Sequence, residues 1–305
     1  MVAQDAPQLM PPPRRVRRGP RARRAPPLIS FVSDFGQGDA YVGTVRAVML
    51  AICPQARIVD LTHAIRPQST LHAVLQTQQA WPFFPEGAVH LAVIDPGVGT
   101  TRRAIALSGP RGFAVGPDNG VLSAFLPGEA RARAQPLAGA ATGDPFPLAS
   151  LAPLPAGFVA REILNQDVIR STPSATFHGR DIFGPAAAHL AAGFPFAALG
   201  PRCATILAFP PIRASLVDGR VTGVVLDIDR FGNLITSVRR ADLPAHASGV
   251  EIVGRRLPLV HTYGEQADLC CLIGSGGYLE VALPNGNAAA TLGAAIGATV
   301  QVLER

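Results

Sequence analysis

Lysine is absent from this sequence, and all 27 of its cationic side chains are arginines. That excludes Schiff-base lysine catalysis and a P-loop, both of which need an ε-amino group. The four cysteines, Cys53, Cys203, Cys270 and Cys271, show no C-x-x-C spacing, and the adjacent pair lies in an apolar run. A reduced, cytoplasmic protein without a disulfide framework is expected. No apolar segment reaches the ~18–20 residues of a membrane span. No G-x-G-x-x-G follows the first apolar run, so dinucleotide binding is disfavoured. There is also no G-x-S-x-G, no recognisable Ser–His pair and no histidine spacing typical of a metal site. No metal and no cofactor are therefore expected.

What is present divides sharply. The formal charge of +6 resembles a nucleic-acid signal until it is located. Residues 1–25 carry Arg14, Arg15, Arg17, Arg18, Arg21, Arg23 and Arg24 against Asp5, which accounts for the whole excess. The body is formally neutral and has no basic face to explain. The segment "PPPRRVRRGPRARRAPP" cannot bury a core and has no apolar h-region, so residues 1–27 read as a disordered tail rather than a signal peptide. Nucleic acid or acidic lipid is a partner only through that tail.

From residue 28 the pattern is α/β: "LISFVSDFG", "ARIVDLTH", "AVHLAVIDPG" and "GFAVGPDNG" read as buried strands with helices between them. One helix begins near Asp39 with Tyr41, Val45, Val48 and Ile52 on a face, and a second covers about 70–81. A mostly parallel sheet flanked by helices is predicted for 28–200. Residues 128–157 are Ala/Pro-rich without a period and read as a surface insertion; "HGRDIFGPAAAHLAAG" gives a helix ending at Gly193. After a linker at 201–217, short strands punctuated by Gly, Asn and Pro predict a smaller all-β, barrel-like domain over 218–305.

The strands end alike, on Asp34, Asp60, Asp95 and Asp118, each beside glycine or a turn. Open parallel sheets bind ligands outside the carboxyl ends of their strands, so these four acids are expected to line one rim. In "VIDPGVGTTRRAIAL" a carboxylate and a guanidinium stand seven residues apart across a glycine turn. Read by itself, that stretch is equally a strand–turn–strand with a surface ion pair.

The ordered motifs "SDFGQGDAYVGTVRAVM", "IVDLTHAI", "VIDPGVGTTRR", "GPDNGVLS", "TFHGRDIFGPAAAHLA", "DIDRFGNLITS" and "GSGGYLEVALPNGNAA" closely resemble the S-adenosyl-L-methionine (SAM) hydrolases of the DUF62, or SAM hydroxide adenosyltransferase, family. These are relatives of the fluorinase and chlorinase. The resemblance implies cleavage of SAM by water at ribose C5′ to adenosine and methionine, in a homotrimer with each site between two subunits. It puts Asp95, Arg102 and His178 around the attacking water, with Asp95 orienting Arg102 and His178 taking or relaying the proton. Asp34 falls on the ribose hydroxyls, Asp229 on the methionine ammonium, Asn233 on the adenine edge and Ser275 on the methionine carboxylate.

There are departures from the halogenase pattern. Gly179 stands where the fluorinase has a serine that contacts fluoride, Gly276 replaces an arginine, and Gln68 replaces a tryptophan. The extra fluorinase loop has no room in "RRAIALSGPRGFAVGPDNG". A SAM-dependent halogenase, disfavoured by Asp95 and Arg102, and a non-catalytic SAM- or nucleoside-binding regulator are the alternatives.

Overall fold

The computed structural model describes residues 25–134 and 146–305. The arginine-rich tail up to residue 24 and the middle of the Ala/Pro-rich segment lie outside the described residues.

Four strands form the parallel half of the first sheet: β1 (Leu28–Ser33), β2 (Arg57–Thr62), β3 (Ala88–Val93) and, after the intervening β4 (Ala104–Gly109), β5 (Gly112–Pro117). Their order is β2-β1-β3-β5, all parallel. The sheet as a whole is mixed rather than mostly parallel. β4 joins β5 through Pro110 and Arg111 alone, and a two-residue connection permits only an antiparallel pair. Gly112 makes that hairpin possible: it has φ +137°, and a Cβ there would lie 2.2 Å from the Ala88 carbonyl oxygen. The tightness of this hairpin leaves no room for an inserted loop.

Helix α1 (Tyr41–Ile52) covers one face of the sheet and α2 (Thr70–Ala80) the other. The buried stripe of α1 runs through Val45 and Met49, flanked by Val42 and Ile52, while Tyr41 turns outward. The Ala/Pro-rich segment is more ordered at its edges than its composition suggests. It holds α3 (Gly128–Arg131) and β6 (Ser150–Pro153), whose Ala152 is in the core. β7 (Val159–Glu162) continues the sheet beyond β4. A single π-helical turn, Gly179–Phe183, runs into α4 (Gly184–Ala191). Within the expected linker, β8 (Arg202–Cys203) ends the first sheet and β9 (Thr205–Ala208) pairs with β6.

The second domain is antiparallel. β10 (Ser215–Val217), β11 (Arg220–Ile228), β12 (Leu234–Arg239), β13 (Ala247–Ile252), β14 (Arg255–Pro258), β15 (Cys270–Ile273), β16 (Tyr278–Ala282) and β17 (Thr299–Glu304) make one sheet. Its main path is β14-β13-β17-β11-β12-β16-β15. A bridge between Leu259 and Cys271 brings its two ends together, giving a nearly closed barrel, with α5 (Ala288–Leu292) packed on the core.

The domains are joined at Asp227, near the end of β11. Its buried carboxylate accepts from Arg66 Nη1 at 2.6 Å and Gln76 Nε2 at 2.8 Å, with His72 Nε2 at 3.3 Å. Leu75, Leu226 and Tyr278 pack beside this latch. Burial by itself would raise the Asp227 pKa, but the hydrogen bonds from His72 and Arg66 outweigh it and hold the pKa at about 2. A carboxyl with a folded pKa below its ordinary 3.8 stabilises the fold fully above that value and loses its contribution as pH falls through about 2. Asp227→Ala should therefore destabilise by about 3 kcal/mol at neutral pH, because it strands its donors in a buried junction. Urea unfolding of both proteins should show the gap narrowing below pH 3.8. A gap that widens on acidification would contradict this account of the latch.

Candidate active site

Strand β3 is buried along its whole length, so the first polar group beyond it, Asp95, is presented at the carboxyl edge of the sheet. The turn that follows reverses the chain tightly. Val98 N–H donates to Asp95 O at 3.1 Å, and Thr100 N–H and Oγ1–H donate to Gly97 O at 3.1 and 2.7 Å. Gly99 has φ +78°, and a Cβ there would lie 2.7 Å from Ala175 O, so this position needs glycine. The reversal lays Arg102 against Asp95. Arg102 Nε donates to Asp95 Oδ1 at 2.8 Å, and Nη2 donates to Oδ2, a two-pronged pair. Both side chains are about nine-tenths buried, at 11% and 8% exposure, so the surface-pair reading of this stretch does not hold.

His178 comes from the other side, at the entry to the π-helical turn, a feature frequent at functional sites. Its Nδ1 is 2.6 Å from Arg102 Nη2. A guanidinium has donors and no acceptor, so Nδ1 accepts and the ring proton is on Nε2. His178 is thus a partner of the guanidinium, and the ring nitrogen that could serve as a base is already engaged. Burial, and after it the charge of Arg102, lowers the His178 pKa; Asp95 and Asp181 oppose the shift. Phe183 closes the site from below, its ring 5.0 Å from the Arg102 guanidinium carbon.

Asp34, just past β1, faces the same space. Its Oδ2 accepts from the Gln68 N–H at 2.8 Å, and Gln68 takes up φ +63°, an uncommon backbone state for a non-glycine residue. Together Asp34, Gln68, Asp95, His178 and Gly179 line a cavity of about 200 Å³. Space at Gly179 is tight: a Cβ would lie 3.1 Å from Val93 Cγ1 and 3.2 Å from Phe35 Cζ, so those side chains would have to yield slightly to any larger residue.

Of the four strand-end acids, only Asp34 and Asp95 line this cavity. Asp60 is tied to Arg46 at 3.0 Å and to His63 at 3.3 Å. Asp118 accepts from Arg103 Nε at 2.9 Å and from Leu207 N–H at 2.8 Å, bonding the edge of β5 to β9. Asp229, Asn233 and Ser275 are also elsewhere within one chain. Asp229 accepts from Phe231 N–H, Asn233 N–H and Asn233 Nδ2, each at 2.9 Å, which makes it a turn cap as seen in a single chain. Ser275 lines a second, larger cavity between the domains.

Sequence reading missed the aromatic wall. Phe35, Tyr41 and Phe177 meet with ring centroids 5.2–5.8 Å apart beside Asp34 and His178. The available signal was their place next to candidate polar residues in "SDFG" and "TFHG". It also missed a Ser–His pair: Ser33 Oγ is 2.7 Å from His63 Nδ1, which lies beside Asp60. Ser33 and His63 are closed off from solvent, at 0% and 1% exposure, so this trio supports the Asp34 loop and has no access to a substrate. Among the described residues no cluster of three or more His, Cys, Asp or Glu is arranged to hold a metal ion.

Two family models match the chain: the SAM hydroxide adenosyltransferase N-terminal domain over 29–143 and 147–200, and the C-terminal domain over 223–301. A protein of Thermus thermophilus named (R)-S-adenosyl-L-methionine hydrolase is 42% identical over 278 residues, covering 90% of this chain and 99% of that relative. One of the same name from Salinispora tropica is 36% identical over 281 residues, covering 90% of this chain and 97% of it. A fluorinase of Actinoplanes sp. is 32% identical over 296 residues, covering 84% of this chain and 90% of it. Among solved structures, an uncharacterised conserved protein of Thermotoga maritima matches with TM-score 0.75 at 30% identity, covering 90% of this chain and all of that one.

The imidazole tautomer is directly measurable. Nitrogen-15 NMR at neutral pH should show His178 Nδ1 unprotonated and Nε2 protonated, with a titration midpoint below the ordinary 6.5. A midpoint above that value, or a proton on Nδ1, would mean that Arg102 does not donate to this ring.

Proposed function

The chain belongs to the SAM hydroxide adenosyltransferase family, and from that premise we infer that it hydrolyses S-adenosyl-L-methionine to adenosine and L-methionine. The substrate epimer is taken as (R) at sulfur, after the names of these relatives. The observation that carries this reading is the Asp95, Arg102 and His178 cluster, in which Asp95 and His178 line one small cavity with Asp34 and both grip the Arg102 guanidinium behind its wall.

The chemistry asks little of acid catalysis. The sulfonium leaves as a neutral thioether, so the departing group needs no proton. What the reaction needs is one water made nucleophilic and aimed along the C5′–S axis. We assign that task to Arg102. A fixed guanidinium, once an assembled site sheds bulk solvent, favours the hydroxide form of a water beside it. Asp95 and His178 hold that guanidinium from two directions, and His178 Nε2–H remains as a donor to orient the oxygen. One proton is released per turnover, when the water ionises. Asp34 is assigned to the ribose hydroxyls, and Gly179 leaves space where a side chain would intrude on the cavity. Activity is proposed to need neither metal nor cofactor.

Asp229 and Asn233 are assigned to the methionine and adenine ends of the substrate, and they reach it only if a second copy supplies them; Ser275, which faces the larger cavity of its own chain, is given no part in this site. A homotrimer with sites between subunits is therefore part of the proposal. In its support, the 200 Å³ cavity is small for SAM, and Phe231, beside Asp229, is 74% exposed in the single chain. The free, buried cysteines fit a reducing compartment such as the cytoplasm, and no helix among the described residues is long and apolar enough to cross a membrane.

Incubation with SAM should yield adenosine and methionine by chromatography, at a rate indifferent to EDTA. Arg102→Ala should lower kcat by about 10² or more with a smaller change in KM. Tight binding without turnover would favour a regulator, and a rate restored only by added metal would overturn the mechanism. Shared sites have their own test. Asp95→Asn and Asp229→Asn are each expected to inactivate the homotrimer, whereas randomly reassembled mixtures should regain roughly a quarter of wild-type activity, since that fraction of sites pairs two intact halves. No recovery on mixing would place both residues in one subunit's site or leave Asp229 outside it.

A further inference from the structure

At the other end of β3 from Asp95, a cavity of about 790 Å³ opens between the two domains. Its most unusual wall residue is Arg131, in α3. This side chain is 7% exposed, and its Nε has no hydrogen-bond partner. The terminal nitrogens of Arg131 meet only an amide: Gln78, with its oxygen turned inward, accepts from them at 2.7 and 2.9 Å. Arg213 and Arg239 line the same cavity, and Arg239 Nη2 donates to Tyr278 OH at 2.7 Å. Arg111, over the Trp81 ring and donating to the Pro82 and Phe84 carbonyls, is a fourth arginine on the wall, and none of the four belongs to an ion pair among the described residues. The acid on this wall, Asp242, accepts from the backbone N–H of Arg239 at 2.8 Å and forms no ion pair with an arginine among the described residues.

A buried cation without a counter-charge is costly, and a second and third cation nearby add to the cost. The burden is visible at Arg131, whose pKa burial and then the charges of Arg239 and Arg213 push down to about 10, with Tyr278 opposing. Arg102, by contrast, meets a carboxylate, that of Asp95. The remaining walls are mainly apolar and include the aromatic rings of Trp81, Phe125 and Phe158, and the volume is in the usual range of small-molecule pockets.

We propose that this cavity is a second binding site, separate from the catalytic one, for a phosphorylated small molecule carrying a planar ring, of about nucleoside monophosphate size. Guanidiniums bind phosphate oxygens two at a time, and Arg131 and Arg239 supply that grip from opposite domains. The aromatic walls receive the ring. An occupant would bridge α3 and the barrel, so it would also stiffen the domain junction.

Trp81, the single tryptophan of the chain, is a built-in reporter on the wall of this cavity. Titrating the full-length protein with AMP should change its fluorescence saturably, and inorganic phosphate should bind the same site about tenfold or more weakly because it lacks the ring. Arg131→Met and, in case that variant misfolds, the exposed Arg239→Met should each weaken AMP binding by about tenfold or more. The KM for SAM should stay the same in both variants. The proposal falls if Trp81 does not respond to AMP at about 10 mM, a Kd weak enough to count as no site. It also falls if both variants bind as the wild type does. Competition by SAM, or a raised KM in the variants, would place the arginines in the substrate site instead.

Discussion

An arginine side chain can donate hydrogen bonds but cannot accept them, and this one-sidedness organises the catalytic cavity. Once Arg102 donates to both oxygens of Asp95, its remaining Nη2 donor requires an acceptor, and His178 Nδ1 is placed to be one. That fixes the imidazole tautomer. It also requires the π-helical turn to hold His178 at its mouth, Gly99 to let the reversal pass under Ala175, and Phe183 to floor the site. Protonating His178 would turn Nδ1 into a second donor facing a donor. The lowered pKa and the geometry therefore describe the same constraint.

The same logic separates two uses of arginine in this fold. Arg102 and Arg103 each meet a carboxylate, Asp95 and Asp118, and those pairs tie the turn after β3 and the edge of β5 in place. Asp227 does the corresponding work between domains, where one carboxylate gathers Arg66, Gln76 and His72. Arg131 differs: it is more deeply buried than Arg103, yet it faces other arginines across a cavity. In a body of zero net formal charge such an imbalance is local, and it draws attention to what completes it.

How much of this could be read from residues alone depended on distance along the chain. Asp95 and Arg102 are seven apart on a turn, so their meeting was legible in the motif, as were the strands of the parallel half, whereas the antiparallel β4–β5 hairpin was not read. His178 comes from 76 positions further on, and only the resemblance pointed to it. The rim of four acids was half right. β4 runs antiparallel into the sheet, so Asp118 at the end of β5 is claimed by Arg103 and β9, and Asp60 is claimed by Arg46 on α1. On α1, Val45 and Ile52 lie on the core face as read, while Val42 and Met49 take the places given to Tyr41 and Val48, and Tyr41 instead meets Phe35 and Phe177. Asp229 and Asn233 are a different case. Their place relative to the cavity depends on how chains assemble, which a single chain's pattern does not encode. The unpaired Arg131 lay in a stretch whose Ala/Pro composition reads as surface, and nothing in its neighbours announces burial.

The account stands or falls on whether water attacks C5′ directly. The decisive measurement is turnover of SAM carrying chirally deuterated C5′ in oxygen-18 water. Direct attack by the oxygen held at Arg102 predicts that the label enters the 5′-hydroxyl of adenosine and that the configuration at C5′ is inverted. Retained configuration would mean two displacements through a covalent intermediate, and the water-aiming role given to Asp95, Arg102 and His178 would be wrong.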